Sequence, residues 1–308
     1  MKLYAAPLQG FTEAPWRNFH EEVFGGIDAY YTPFVRLEKG EIRNKDRRDV
    51  SPEENTVPRL VPQVIASEPE ELKVLTDFLA SQGYREIDVN MGCPFPLIVR
   101  RGKGSGILSS PEKVEALLET MKAFPEVRFS VKMRLGGQDA EEWKALVPLL
   151  NRSCVTQVTL HSRIGKQQYK GSVDREAFRA FYEACERPLV YNGDLLTVAD
   201  IRKVLGAFPR LKGVMLGRGL LANPALALVF REGELSDGEL KARVAQMHRQ
   251  MYLYYYRVIE GGEAQLLAKL KTCWEYLLPE LDKKQRKAIL KSNRLDGYLR
   301  AVEEALRG

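Results

Sequence analysis

Two rhythms of hydrophobic and polar positions run along the first 220 or so residues. Short runs of aliphatic, β-branched and aromatic residues predict eight strands: "KLYAAPL" (2–8), "AYYTPFV" (29–35), "RLVPQVIA" (59–66), "EIDVNMG" (86–92), "RFSVKMRL" (128–135), "TQVTLHS" (156–162), "PLVYNGD" (188–194) and "KGVMLGRG" (212–219). Between them, stretches of helical period cover 67–83, 110–124, 139–151, 173–185 and 197–208. The first of these opens on Ser67 with acidic residues in its first turn and closes on Gly83, the usual start and stop signals. From about Ser236 the strand rhythm ends. Long helical periodicity takes over in "DGELKARVAQMHRQMYLYYYRVI", "EAQLLAKLKTCWEYLL", "KKQRKAILKSN" and "LDGYLRAVEEALR".

Strand alternating with helix about eight times over some 220 residues has the size and rhythm of a (β/α)8 TIM barrel. The expected architecture is therefore α/β: a barrel over residues 1–235, followed by a small C-terminal all-helical domain over 236–308. A doubly wound open sheet competes, but no GxGxxG follows the first strand. In barrel enzymes the site is assembled at the C-terminal strand ends. Those ends here carry Pro7-Leu8-Gln9, Phe34 to Arg36, Gln63, Asn90 with Cys93, Lys132 with Arg134, His161 with Arg163, Asn192-Gly193-Asp194 and Gly217-Arg218-Gly219.

Composition narrows the class further. No apolar run approaches the roughly 20 residues that span a bilayer, and the opening "MKLYAAPLQG" does not read as a signal peptide. A cytoplasmic, monomeric protein without membrane contact is expected. Four cysteines stand singly with no zinc-like spacing, so neither a disulfide framework nor a metal site is indicated. Net charge is +6, unevenly placed: from Leu235 onward there are 14 Lys/Arg against 10 Asp/Glu, whereas the first 234 residues carry 33 against 31. A basic C-terminal segment suits a polyanionic partner.

Each candidate has a plainer reading. "NGD" and "GRG" are ordinary tight turns when taken singly; together, after strands seven and eight, they favour a phosphate site with Arg218 as a fixed charge. Lys132 lies in an apolar run and needs an anionic or polar partner, as a Schiff-base lysine, a clamp on an anionic cofactor, or a charge reaching solvent. His161 would by default be a core histidine, but its place at a strand end beside Arg163 makes it a candidate. His20 and His248 read as structural, and Cys154, Cys185 and Cys273 as buried, inert thiols. Cys93 differs: Gly92 and Pro94 make a tight turn there. The loop beyond carries Arg100, Arg101 and Lys103, cations expected to favour a thiolate.

These residues resemble a known family, the flavin-dependent tRNA-dihydrouridine synthases, from near the first residue to about Ala222 and more loosely beyond. The family's opening "APM-x-G-x-T" is similar to "APLQGFTEAPWR" (6–17), and its "D-x-N-x-GCP" to "DVNMGCP" (88–94). "VKMRLG" (131–136), "HSRIGKQQYKG" (161–171), "NGD" and "GRG" match further motifs in order. The resemblance implies that Pro7, Leu8, Gln9, Gln63, Lys132, His161, Asn192, Gly193, Asp194, Gly217 and Arg218 hold flavin mononucleotide (FMN). It implies Cys93 as proton donor, Asn90, Arg134 and Tyr169 as contacts at the flavin or target uracil, and NADPH (or NADH) as reductant. Two positions depart from the pattern: Phe95-Pro96 replace the usual Ser-Lys after "GCP", and Ser162 replaces a glycine.

On that resemblance the chain reduces a specific uridine of tRNA to 5,6-dihydrouridine. A uridine in folded tRNA must be drawn out of its stack, which requires grip elsewhere on the RNA. "KKQRKAILKSNR" (283–294) holds six basic residues and no acid, so Lys283, Lys284, Arg286 and Lys287 join Arg100, Arg101 and Lys103 as candidate phosphate contacts. A solvated helix face is the ordinary meaning of such a run. A Schiff-base aldolase, a flavin barrel acting on a free pyrimidine, and a non-catalytic RNA-binding barrel remain open at this point.

Overall fold

The computed structural model describes residues 1–307. Eight parallel strands form the barrel: β1 (Lys2–Ala5), β2 (Ala29–Tyr31), β3 in two halves (Leu60–Val61 and Gln63–Val64), β4 (Glu86–Met91), β5 (Arg128–Gly136), β6 (Gln157–Ile164), β7 (Leu189–Asn192) and β8 (Gly213–Leu216). Each pairs with its neighbours in chain order, and β1 pairs with both β2 and β8, so the sheet closes on itself. Pro62 divides β3 because it lacks an N–H. One half pairs with β2 and the other with β4, while the Pro62 carbonyl still accepts from Asp88 N at 2.9 Å. Most strands are shorter than their apolar runs because the C-terminal residues of each run peel away to build the mouth.

Alternation along the strands sorts the side chains. Ile87, Val89 and Met91, Val131 and Met133, and Val158 and Leu160 point outward into the core beneath the helices. The alternate positions face the barrel axis. At the closed end these are Tyr4, Tyr31, Val61 and Val190. Toward the mouth they turn polar: Asp88, Asn90, Ser130, Arg134, Thr159, His161 and Asn192 are all buried.

The predicted helices appear as Pro69–Ser81, Pro111–Met121, Trp143–Arg152, Arg175–Ala184 and Val198–Ala207. The third starts four residues late. The Glu142 carboxylate accepts the backbone N–H groups of Gly137, Gln138 and Asp139, which holds that stretch as a loop. The helix expected around His20 is Ala14–Val23, which follows β1 and buries Trp16, His20 and Val23. His20 and His248 are structural, as expected. His20 sits 2.6 Å from Tyr30 Oη and 2.9 Å from the Pro224 carbonyl; His248 sits 2.7 Å from Tyr298 Oη. Burial pulls both pKa values down to about 4. Cys185 is buried, but Cys154 is exposed, contrary to expectation, because it lies in the open turn after the Trp143–Arg152 helix.

Beyond the barrel, Ser236 caps the Asp237–Val258 helix, followed by Gly262–Thr272, Lys283–Lys291 and Leu295–Ala305. Their apolar faces join the barrel's own core: Val244, Met247, Met251, Tyr255 and Trp274 are buried in one cluster with Trp16 and Val23. Lys269 pairs with Glu13 at 2.5 Å, and Leu278 N donates to the Ala222 carbonyl at 2.9 Å. No helix among the described residues is long and apolar enough to cross a membrane.

Candidate active site

A cleft of about 850 Å³ opens at the C-terminal mouth of the barrel. Pro7, Leu8, Gln9, Gln63, Asn90, Cys93, Lys132, Arg134, His161, Tyr169 and Arg218 all line it. A narrower recess, sharing Lys132, His161 and Arg218 with the cleft, is lined by Asn192, Gly193, Asp194 and Gly217. Eight strands thus bring every residue expected at the flavin into one continuous space. Arg100, Arg101, Lys103 and the C-terminal basic run line neither part.

The floor is an ordered relay of amides. Buried Asp88 accepts from Ser130 Oγ at 2.5 Å and from Gln63 Nε2 at 2.7 Å. Gln63 Oε1 therefore faces Asn90 Nδ2, 2.7 Å away, and Asn90 Oδ1 accepts from the backbone N–H groups of Gly92 and Cys93 at 3.0 and 2.8 Å. Because the carboxylate accepts, each amide has one allowed orientation, and the last of them fixes the turn that carries the thiol. Burial pushes the Asp88 pKa up to about 6. Gln63 keeps one N–H for the cleft; its other polar positions are engaged by protein. The sequence reading did not single out Asp88, although its signal was visible as an acid at an inward position of an apolar strand.

Lys132, one strand over in register with Asn90, donates to Asn192 Oδ1 at 3.1 Å. Burial lowers its pKa to about 8, helped by the nearby Arg134 charge and opposed by Asp88 and Cys93. Cys93 itself is half-buried, and burial raises its pKa despite the opposing Arg134, Lys132 and Arg36 charges. The expectation of a cation-favoured thiolate is thus corrected: desolvation wins, and the group stays a thiol at neutral pH. The basic loop does not act on it. Lys103 turns away into an ion pair with Glu71 at 2.5 Å, whereas Arg100 and Arg101 stay exposed.

Across the cleft, the Tyr169 ring lies between two guanidinium groups, that of Arg218 at 4.7 Å and that of Arg134 at 5.4 Å. Arg134 is 1% exposed and donates to the carbonyls of Gly92, Ile164 and Gln168. It therefore ties the cysteine turn to the loop after β6. Asp194 pairs with Arg163 at 2.5 Å and Arg218 at 2.9 Å. Asp194 lines the recess, and its carboxylate holds the two arginines in place there. His161 is buried, and desolvation followed by the charges of Arg134, Lys132, Arg163 and Arg218 drives its pKa well below the ordinary range. It is neutral in this site. Gly193 sits at φ 137°, where a Cβ would meet Val173 Cγ1 at 2.9 Å.

Arg36, offered by the end of the second predicted strand, lines the cleft, as do Arg43, Lys45 and Tyr276, which were not foreseen. Arg43 and Lys45 belong to a connection between β2 and β3 that reads as plain charged loop; Tyr276 comes from the C-terminal segment. Arg286 is corrected in the other direction. It donates to the carbonyls of Trp274, Leu277 and Leu278, so its charge serves the fold, while Lys283, Lys284 and Lys287 remain exposed.

The sequence profile of the dihydrouridine synthase (Dus) family matches residues 4–287. Among similar proteins, a tRNA-dihydrouridine(16) synthase of Cupriavidus necator is 27% identical over 289 residues, covering 89% of this chain and 89% of that protein. A probable tRNA-dihydrouridine synthase of Staphylococcus epidermidis is 28% identical over 263 residues, covering 81% and 77%. Of solved structures, morphinone reductase is similar in fold, with a TM-score of 0.53 at 11% identity over 76% of this chain and 86% of that one. A profile that runs from β1 through the Lys283–Lys291 helix takes in the whole cleft, and this chain belongs to the dihydrouridine synthase family of flavin-dependent oxidoreductases.

Proposed function

We propose that this protein reduces the C5=C6 bond of a uridine in tRNA, with FMN as the resident flavin and NADPH as the reductant. The observation that carries the reading is the pairing, in one cleft, of a half-buried thiol kept protonated by desolvation with a partly buried ammonium that has no carboxylate partner among the described residues. The donor set fits an anionic flavin. Lys132 has N–H groups beyond the one given to Asn192, Arg218 supplies a phosphate fork at the recess, and Gly193 and Gly217 leave backbone accessible there. Bound and reduced, the flavin would supply the hydride that side chains lack.

The protein's own residues supply the rest. Cys93, held by the Asn90-capped turn, gives a proton to the other carbon of the double bond as general acid. Lys132 would hold the flavin ring and would supply positive charge to offset negative charge gained on reduction. Neutral His161 donates or accepts a hydrogen bond without adding to the four cations around it. Residues 1–235 form the catalytic barrel in this reading, and 236–308 grip the RNA through exposed lysines.

Flavin released from the purified protein should be FMN. tRNA from cells lacking the gene should lose dihydrouridine at one position, and position 16, named for the Cupriavidus necator relative, is the first to map. Unchanged dihydrouridine content at every position would refute the reading.

A further inference from the structure

The loop after Cys93 holds two large apolar side chains in water. Phe95 is 57% exposed on the rim of the cleft, and Leu97 is 59% exposed. Leaving such a side chain in water forgoes the gain of burying it, so a mobile loop would be expected to fold it inward. This loop is not free to do so. Pro94 and Pro96 fix the backbone on both sides of Phe95, and the Phe95 carbonyl accepts the N–H groups of Ile98 and Val99 at 2.9 and 3.0 Å. Ile98 is buried against Phe34 and Ile65, with Cys93 packed on the same cluster. Ser105 N donates to the Cys93 carbonyl at 3.0 Å, and Lys103 anchors the far end on Glu71. A Cβ on Gly106 would meet the Val99 carbonyl at 2.5 Å, so the return of the loop is packed tight.

We propose that Phe95, with Leu97 beside it, is a wedge that occupies the place left in the RNA stack by the extruded uridine, while Arg100 and Arg101 take the flanking phosphates. The proposal rests on tRNA as substrate. Extruding a base unstacks its neighbours at a free-energy cost, and an apolar side chain inserted between bases offsets part of that cost. A wedge already held rigid loses little entropy on insertion. An apolar tip carried on the same short loop as two exposed arginines suits an opened base step flanked by phosphates. A protein partner would call for a broader apolar patch.

The test compares folded tRNA with a short unstructured RNA carrying the same uridine, for wild type, Phe95→Ala, Phe95→Trp and Leu97→Ala, with thermal unfolding as a check on folding. Phe95→Ala should lower kcat/KM on folded tRNA by about 5- to 150-fold, the effect of removing one base–aromatic stack, and by less than about twofold on the unstructured RNA. Phe95→Trp should restore the loss, and Leu97→Ala should follow Phe95→Ala more mildly. A 2-aminopurine placed beside the target in tRNA should change fluorescence on mixing with flavin-free wild-type protein, but not with flavin-free Phe95→Ala. Equal losses on both RNAs, or none on folded tRNA, would overturn the wedge. If wild type reduces neither RNA, the tRNA reading itself falls, before any variant is compared.

Discussion

The ammonium of Lys132 donates across 3.1 Å to Oδ1 of Asn192, and Asn192 Nδ2 in turn donates to the Met215 carbonyl at 2.8 Å. The second bond fixes the amide so that its oxygen meets the lysine. An amide oxygen compensates a buried cation only in part, which leaves the charge available to an incoming anion.

That relationship sets a pH dependence. With the free pKa at about 8, an anionic flavin that favours the charged lysine must draw a proton on binding once the pH exceeds that value. Affinity of the flavin-free protein for FMN should therefore fall as pH rises from about 8 toward the ordinary lysine range. It should vary less in Lys132→Met. The same depressed pKa means that the folded state bears the full penalty for the charge below about 8 and is relieved above it. Flavin-free Lys132→Met should thus resist denaturant better than wild type at neutral pH, with the gap closing as pH rises. A fluorescence titration with the opposite slope would refute the lysine's role.

Cys93→Ala should keep its flavin and bind tRNA, yet oxidise the reduced flavin with tRNA ~10²–10⁴-fold more slowly, the usual weight of a general acid. Because burial keeps the group protonated, iodoacetamide should modify Cys93 slowly at neutral pH and faster only above the ordinary thiol range. Unchanged single-turnover flavin oxidation in the variant would remove the thiol from the chemistry.

Asp194→Asn removes the carboxylate shared by Arg163 and Arg218. Arg163 is 2% exposed and cannot reach water instead, so the variant should lose about 1.5–3 kcal/mol of stability, in line with a hydrogen bond between charged groups. Its flavin retention should also weaken as Arg218 loses its bearing. Arg218→Ala should weaken retention while leaving stability nearly intact, since that side chain is partly exposed. Urea unfolding of the flavin-free variants separates the two effects.

The basic run divides in two. Lys283, Lys284 and Lys287 replaced by Gln should reduce the slope of log tRNA affinity against log salt by ~0.7–0.9 for each phosphate no longer neutralised. An unaltered slope would make the run a solvated helix face. Arg286→Gln should act on stability instead, because three carbonyls lose their donor. Removing 236–308 altogether should leave an aggregating barrel, since Trp16 and Val23 share their core with Met247, Met251 and Trp274.

Much of the site was legible in the sequence, because strand-end chemistry is local. A residue's place in a strand fixes whether it faces inward, and eight parallel strands bring their ends to one mouth. Asn90, Cys93, Lys132, His161 and Asn192 were found in this way. What tertiary structure decided was how each charge is compensated, which depends on partners distant in sequence. Asp194 meets Arg163 and Arg218, Lys103 meets Glu71, and Arg286 meets three carbonyls. The protonation of Cys93 follows from burial that no pattern of neighbours reveals. Sequence therefore determined which groups face the cleft, through strand alternation and motif order. Only the folded arrangement decided which of them remain free to act, because desolvation and ion pairing are properties of the whole surroundings.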